Sequence, residues 1–288
     1  MASVAPVDSR EYRFGFVIGT KQHAPEDFPV PEDWEGFRTA LFLPRDDAGW
    51  FGRSPYPPRM VLLSREALEV RGHPHYKEET TRFKLAELDF VETGHILLLG
   101  WLRVVAAQSE RLLPYNMRSW AAVERFLAHL REEYAPPAPA LGFCDSRMCG
   151  EPLDLKFKYA RARELAPEER VACQLFSPAV RHVGKWGILR HEFWEPADLV
   201  LMTERRIMWI SDRHHGRHQR YGTVTRYAPV QSLTGVACPG QGGSFELCIA
   251  LGSAASWRIP LPAEMEKEAG RFGEESDRLR AIWKPLTL

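Results

Sequence analysis

Three short phrases, Leu41-Phe42-Leu43-Pro44, Gly49-Trp50-Phe51-Gly52 and Val61-Leu62-Leu63-Ser64-Arg65, follow one another in the first half of the chain. The same order returns as Leu175-Phe176-Ser177-Pro178, Gly184-Lys185-Trp186-Gly187 and Val200-Leu201-Met202-Thr203-Glu204-Arg205. The offset between the copies is 134 at Leu41 and Leu175, 135 at Gly52 and Gly187, and 139 at Val61 and Val200. It reaches 145 at Leu85 and Val230, Leu88 and Leu233, and Val91 and Val236. An offset that grows slowly keeps strand spacing and puts insertions into loops. A period of this size is a duplicated domain, far longer than a solenoid unit of about 20–50 residues. The rival reading, chance likeness between two β-rich segments, has trouble matching the Pro-then-Gly-aromatic-Gly order and a terminal helix together.

The length of 288 residues fits two domains of about 100–200 residues each. With 44 % hydrophobic and 26 % charged residues, two ordinary cores are expected and global disorder is not. Thirty-eight basic residues balance 38 acidic ones, so no overall basic field draws the chain to nucleic acid, and no nucleic-acid partner is expected. The start, Met1 to Pro6, has no basic segment followed by an apolar core, so no signal peptide is expected. The most apolar run, Ile96 to Leu102, falls short of the roughly 18–20 residues that cross a bilayer. Five cysteines (Cys144, Cys149, Cys173, Cys238 and Cys248) fit reduced thiols, so the expectation is a cytoplasmic protein.

Residues 1–36 read as an N-terminal arm, with Phe14, Phe16 and Ile18 alternating as a half-buried strand would. The first domain, 37–134, has strand signals at Phe37–Leu43, Arg59–Ser64, Ala67–Val70, Arg82–Glu92, Ile96–Val105 and Arg111–Tyr115. A helix follows, with Ser119 as expected N-cap and Trp120, Val123, Phe126, Leu127 and Leu130 on one stripe. Residues 135–164 form a Pro-rich linker and connector, opened by Ala135-Pro136-Pro137-Ala138-Pro139. Within it, the apolar/basic alternation of Leu155-Lys156-Phe157-Lys158-Tyr159 suggests a strand. The second domain, 165–288, replays the first and ends in a charge-rich helix over Ala263–Trp283, which Gly270 and Gly273 weaken in its middle.

Each half thus reads as a β meander followed by one amphipathic helix, a mainly β chain with α (β+α). The phrase Leu199-Val200-Leu201-Met202-Thr203-Glu204-Arg205-Arg206-Ile207, its counterpart Met60-Val61-Leu62-Leu63-Ser64-Arg65-Glu66-Ala67-Leu68, and Glu169-Arg170-Val171-Ala172 resemble the strand-turn-strand and lead-in phrases of bacterial pleckstrin homology (PH)-like and GRAM-type domains. The resemblance covers roughly 37–134 and 165–283. It implies two tandem PH-like β-barrels or sandwiches, each of about seven antiparallel strands closed by a C-terminal helix. Such domains generally engage lipid headgroups, peptides or other proteins and lack catalysis of their own. These motifs encode a hairpin and no chemistry, so the functional inference is by analogy.

The segment Asp212-Arg213-His214-His215-Gly216-Arg217-His218-Gln219-Arg220 has the most unusual local composition. As a binding site, Arg213, His214, His215, Arg217, His218 and Arg220 would receive a phosphate-bearing headgroup or another polyanion through arginine forks. As scaffold, the segment is a solvated hairpin tip. Trp50, Phe51, Trp186, Phe193 and Trp194 fall in the long first hairpins. Exposed, they would dock a protein or a membrane interface; folded back, they are core. The histidines 214, 215 and 218, the pair His73 and His75, and Cys144 with Cys149 do not reach finger-like zinc spacing, and no metal site is expected. No phosphate loop, nucleophile elbow or His-Glu-x-x-His motif occurs; Gly240-Gln241-Gly242-Gly243 joins two strands and precedes no helix. No cofactor and no catalytic set are expected. The leading expectation is a non-enzymatic interaction or scaffolding protein that binds another protein or peptide. The alternative is a peripheral binder of anionic membrane lipids through the basic loop 213–220, and a weaker third reading is a metal-dependent enzyme.

Overall fold

A computed structural model describes residues 13–28, 30–45, 56–76, 80–96, 98–107, 109–135, 147–150, 152–186, 189–212, 222–241, 244–252 and 255–283, with the backbone alone for 74, 147–150, 181–186, 189–194, 240, 241, 244 and 283. The chain divides into two units, one of residues 1–88, 95–106 and 110–136, the other of residues 89–94, 107–109 and 137–288.

In the first unit β1 (Phe16–Ile18), β2 (Phe37–Leu43), β3 (Arg59–Ser64), β4 (Ala67–Gly72) and β5 (Thr81–Lys84) form an antiparallel sheet in chain order. A 3-10 turn at Leu85–Glu87 leads to β6 (Leu88–Ile96), β7 (Leu99–Ala106) and β8 (Ser109–Asn116), and α1 (Trp120–Tyr134) closes the series. The expected strand Arg82–Glu92 is therefore two strands, separated where Leu85 N donates to Glu66 O at 2.7 Å. The α1 stripe buries Val123, Phe126, Leu127 and Leu130 as expected, while Trp120 is only half-buried. Ser119 makes no capping bond to its helix. Its hydroxyl accepts from Gly15 N at 2.7 Å instead, where a β-carbon on Gly15 would come within 2.9 Å of Phe42 O.

In the second unit come β9 (Arg147–Gly150), α2 (Leu155–Glu164), β10 (Val171–Ser177), β11 (Val180–Trp186), β12 (Leu189–Glu195), β13 (Asp198–Thr203), β14 (Arg206–Ser211) and β15 (Gly222–Pro229). After a 3-10 turn at Val230–Ser232 follow β16 (Leu233–Ala237), β17 (Gly240–Gln241), β18 (Ser244–Leu251), β19 (Ala255–Leu261) and α3 (Glu266–Trp283). The strand order is β6-β15-β14-β13-β10-β9, with residues 89–94 of β6 belonging to this unit. A second sheet holds β16, β18, β17 and β19, and β11 pairs with β12 as a separate hairpin. β9 runs parallel to β10, a departure from all-antiparallel pairing. Among the described residues no sheet closes into a barrel, which corrects that part of the expectation; the architecture is mainly antiparallel sheet with a few helices.

Matching positions of the two repeated phrases make the same hydrogen bonds. Between β3 and β4, Ser64 Oγ accepts from Glu66 N at 3.3 Å and Ala67 N at 3.0 Å. Between β13 and β14, Thr203 Oγ1 accepts from Arg205 N at 3.1 Å and Arg206 N at 3.0 Å. Both are hydroxyl turns that replace backbone partners at a tight connection. The next anchor also repeats: Val230 N donates to Arg205 O at 2.9 Å, as Leu85 does to Glu66. The order strand, hydroxyl turn, two strands, 3-10 turn, further strands (three in the first copy, four in the second) and helix is thus common to both copies.

A second regularity explains why the repeated phrase is apolar at consecutive positions rather than alternating. Ala40 to Leu43 and Ala172 to Ser177 are buried throughout, so β2 and β10 are covered on both faces. One cover comes from the segment preceding each copy. In the first unit, Phe42 lies 5.4 Å from Phe16 and 5.5 Å from Phe28 between ring centroids, within a cluster that includes Ile18, Ala24, Met60 and Leu62. In the second, the matching Phe176 lies 5.1 Å from Phe157 of α2. The repeated phenylalanine is therefore the anchor of a lead-in segment, and β1 and β9 shield what would otherwise be bare sheet edges.

Leu155–Tyr159 is helical, which corrects the expected strand. Asp154 accepts from Phe157 N at 2.9 Å through its side chain, an N-cap that starts the helix. The following Ala160, Arg161, Ala162 and Arg163 are good helix formers, and they outweigh a five-residue alternation. Gly270 and Gly273 do not interrupt α3, which runs unbroken from Glu266 to Trp283.

Candidate interaction surface

Arg213, His214, His215, Arg217, His218 and Arg220 lie outside the described residues, as do Trp50 and Phe51. Trp186 and Trp194 are backbone positions on β11 and β12, opposite Leu189 and Arg181, and their side chains lie outside the described set. Cys144 also falls outside it. The surface with a definable geometry is α2, which reading Leu155–Tyr159 as a strand obscures.

The inward face of α2 is pinned. Phe157 is fully buried against Phe176, Arg161 Nη1 donates to the buried Gln174 Oε1 at 2.7 Å, and the Glu164 carbonyl accepts from Arg206 Nη2 at 2.6 Å. The outward face carries Leu155 at 67 % and Tyr159 at 70 % exposure, the two most exposed large apolar side chains among the described residues. They sit four residues apart, one above the other on a helix, with exposed Ala162 continuing the line. Core packing does not require them.

Charge surrounds this stripe. Lys156, Lys158, Arg161 and Arg163 of α2 stand against three carboxylates: the capping Asp154, Asp212, and Glu164, whose side chain is buried and paired with Arg163 at 3.0 Å. Lys156 reaches Asp212 at 2.6 Å, which fixes α2 beside the residue from which the basic segment 213–220 departs in sequence. Lys158 is exposed and forms no ion pair among the described residues.

Two other polar clusters are held together by hydrogen bonds among their own members. His73 is buried, with Nε2 2.6 Å from Asp27 Oδ2 and Nδ1 accepting from His75 N at 3.2 Å. The Nδ1 acceptor role places the ring proton on Nε2, which donates to Asp27. Both nitrogens are then occupied, and this ring offers no lone pair to a metal or to a reacting proton. Glu169 and Arg206 form the other cluster: Arg206 Nε donates to Glu169 Oε1 at 2.9 Å, Nη2 also binds Glu169, and Thr203 Oγ1 lies 2.7 Å from Glu169 Oε1. Burial alone pushes the Glu169 carboxyl up, but the Arg206 bonds and charge, the Thr203 hydroxyl and the Ala166 N–H together hold it below the usual carboxylate range. Among the described residues no group of three or more His, Cys, Asp or Glu side chains could hold a metal ion.

Sequence reasoning misses Leu155 and Tyr159. The signal that finds them is Asp154 followed three residues later by Phe157 and then by an Ala/Arg-rich run, a cap-plus-propensity pattern. No protein-family model matches this chain, and no curated protein matches it.

Proposed function

We propose that the chain is a non-enzymatic docking module of two tandem PH-like domains, which attaches to an acidic partner through the outward face of α2. The observation that carries the reading is a pinned helix presenting Leu155 and Tyr159 outward amid Lys156, Lys158 and Arg163. Support for the PH-like assignment is the element order along the chain: β2–β5, β6–β8 and α1 in the first half, and β10, β13–β15, β16, β18, β19 and α3 in the second. That support is an analogy of plan and specifies no ligand. The leading expectation from the sequence is a protein or peptide partner; an acidic segment of such a partner and an anionic lipid surface share the chemistry that this face would recognise.

The test replaces Leu155 and Tyr159 by serine and Lys158 by glutamate in the full chain. These side chains are exposed, so the substitutions leave stability within about 0.5 kcal/mol. Immobilised wild type is expected to retain protein or lipid from extracts and membranes of the cell of origin, and the variant to retain at least about tenfold less of it, a loss on the order of 1.4 kcal/mol. Equal retention by a variant with unchanged circular dichroism would remove α2 from the account.

A further inference from the structure

We infer that the occupant of the α2 face is an anionic bilayer surface, an inference that rests on the docking role proposed above and names its partner. Size decides between the candidates. Ten residues of helix rise about 15 Å, and a strip about 10 Å wide presents on the order of 150 Å². A specific protein interface buries about 800 Å² on each partner, several times what this strip supplies. A bilayer demands no matching shape, so a small convex strip is sufficient for it.

The side-chain chemistry agrees. Leu155 and Tyr159 project from the body of the unit, which suits insertion at the boundary between headgroups and acyl chains, where a tyrosine ring has an apolar body and a polar tip. Lys158 keeps its charge uncommitted among the described residues, and Lys156 and Arg163, although paired with Asp212 and Glu164, remain partly exposed at 52 % and 36 % of their side chains. Long basic side chains flanking an apolar stripe can lie along it and extend their charges to headgroup phosphates. The Asp154 cap and the buried Phe157 hold the helix in place beforehand, so docking carries no folding penalty for this segment. No described helix is long and apolar enough to cross a membrane, and the contact inferred is a peripheral one.

The experiment sediments the full chain with vesicles of phosphatidylcholine alone and of phosphatidylcholine and phosphatidylserine in equal parts. Wild type is expected with the serine-containing vesicles at least tenfold more than with the others. Raising salt from about 0.1 to about 1 M, which shortens the screening length from about 10 to about 3 Å, should release most of it. Leu155→Ser with Tyr159→Ser, and separately Lys158→Glu, should each reduce sedimentation severalfold while circular dichroism stays unchanged. Vesicle binding that is equal in the α2 variants, or that is lost only with Arg213→Ala, Arg217→Ala and Arg220→Ala together, overturns the inference. If no vesicle binding occurs while the α2 variants still lose a protein retained from extract, the bilayer is the wrong occupant and the docking role stands. Failure of both assays removes the role as well.

Discussion

Arg206→Met is expected to destabilise the second unit by about 3–5 kcal/mol, the cost of leaving one member of a buried ion pair without the other. Arg206 and Glu169 are both buried, and Arg206 also holds the Glu164 carbonyl at the end of α2. Methionine keeps much of the volume, so the loss reports the unpaired Glu169 carboxylate. The double variant Arg206→Met with Glu169→Gln should recover part of the stability, because no charge is then stranded. The pH profile follows from the same pair. Glu169 titrates below its ordinary value in the folded protein, so its stabilisation is complete above the ordinary value and is lost as pH falls through the depressed one. Without Arg206, burial raises the Glu169 pKa, and acidification then stabilises the variant relative to neutral pH. Urea unfolding across this range, with hydrogen exchange on β13 and β14 as the local probe, reads both effects. An acid limb identical in wild type and Arg206→Met would refute the assignment.

Trp209→Ala should cost a similar amount, about 3–5 kcal/mol, through loss of a large buried ring. Trp209 joins three groups of the second unit. Its indole N–H donates to the buried Asp198 at 2.8 Å, the Arg226 guanidinium lies 4.5 Å from its ring centroid, and Trp257 stands 6.2 Å away. Arg226 in turn donates to the buried Glu92 at 2.6 Å. Removing the ring takes away one apolar wall of that charge pair as well as the packing. Trp209→Phe keeps an aromatic face beneath Arg226 and loses only the indole donor, so about 1–3 kcal/mol is expected. Denaturant unfolding of the two variants gives the comparison, and an alanine variant no weaker than the phenylalanine one would contradict the stacking account.

The mainly antiparallel β architecture with a few helices was legible in the sequence, and for a physical reason. Strands, tight turns and the terminal helix are local patterns, and the hydroxyl turns at Ser64 and Thr203 occupy matching places in both copies. The lead-in segments were obscured because their partners are distant. Phe28 and Phe157 are single apolar residues amid prolines or charges until Phe42 and Phe176 are seen beneath them. Alternation over Leu155–Tyr159 matched a strand, yet one capping carboxylate at Asp154 and helix-forming residues after Tyr159 reversed the period from two to 3.6. That reversal matters for function. In a strand, Leu155, Phe157 and Tyr159 share one face; in the helix, Phe157 turns inward and the other two turn outward together.

In the second copy the phenylalanine of the repeated phrase packs on Phe157 and so seats the helix that carries the proposed docking face. The most direct measurement is site-specific photo-crosslinking. A full chain carrying Tyr159→p-benzoylphenylalanine is irradiated with extracts and membranes of the cell of origin, alongside a control at the exposed Lys267 of α3. The account predicts adducts at position 159 that are absent from position 267 and that disappear with Lys158→Glu or high salt. Equal labelling at both positions, or labelling at 159 indifferent to charge, would contradict it.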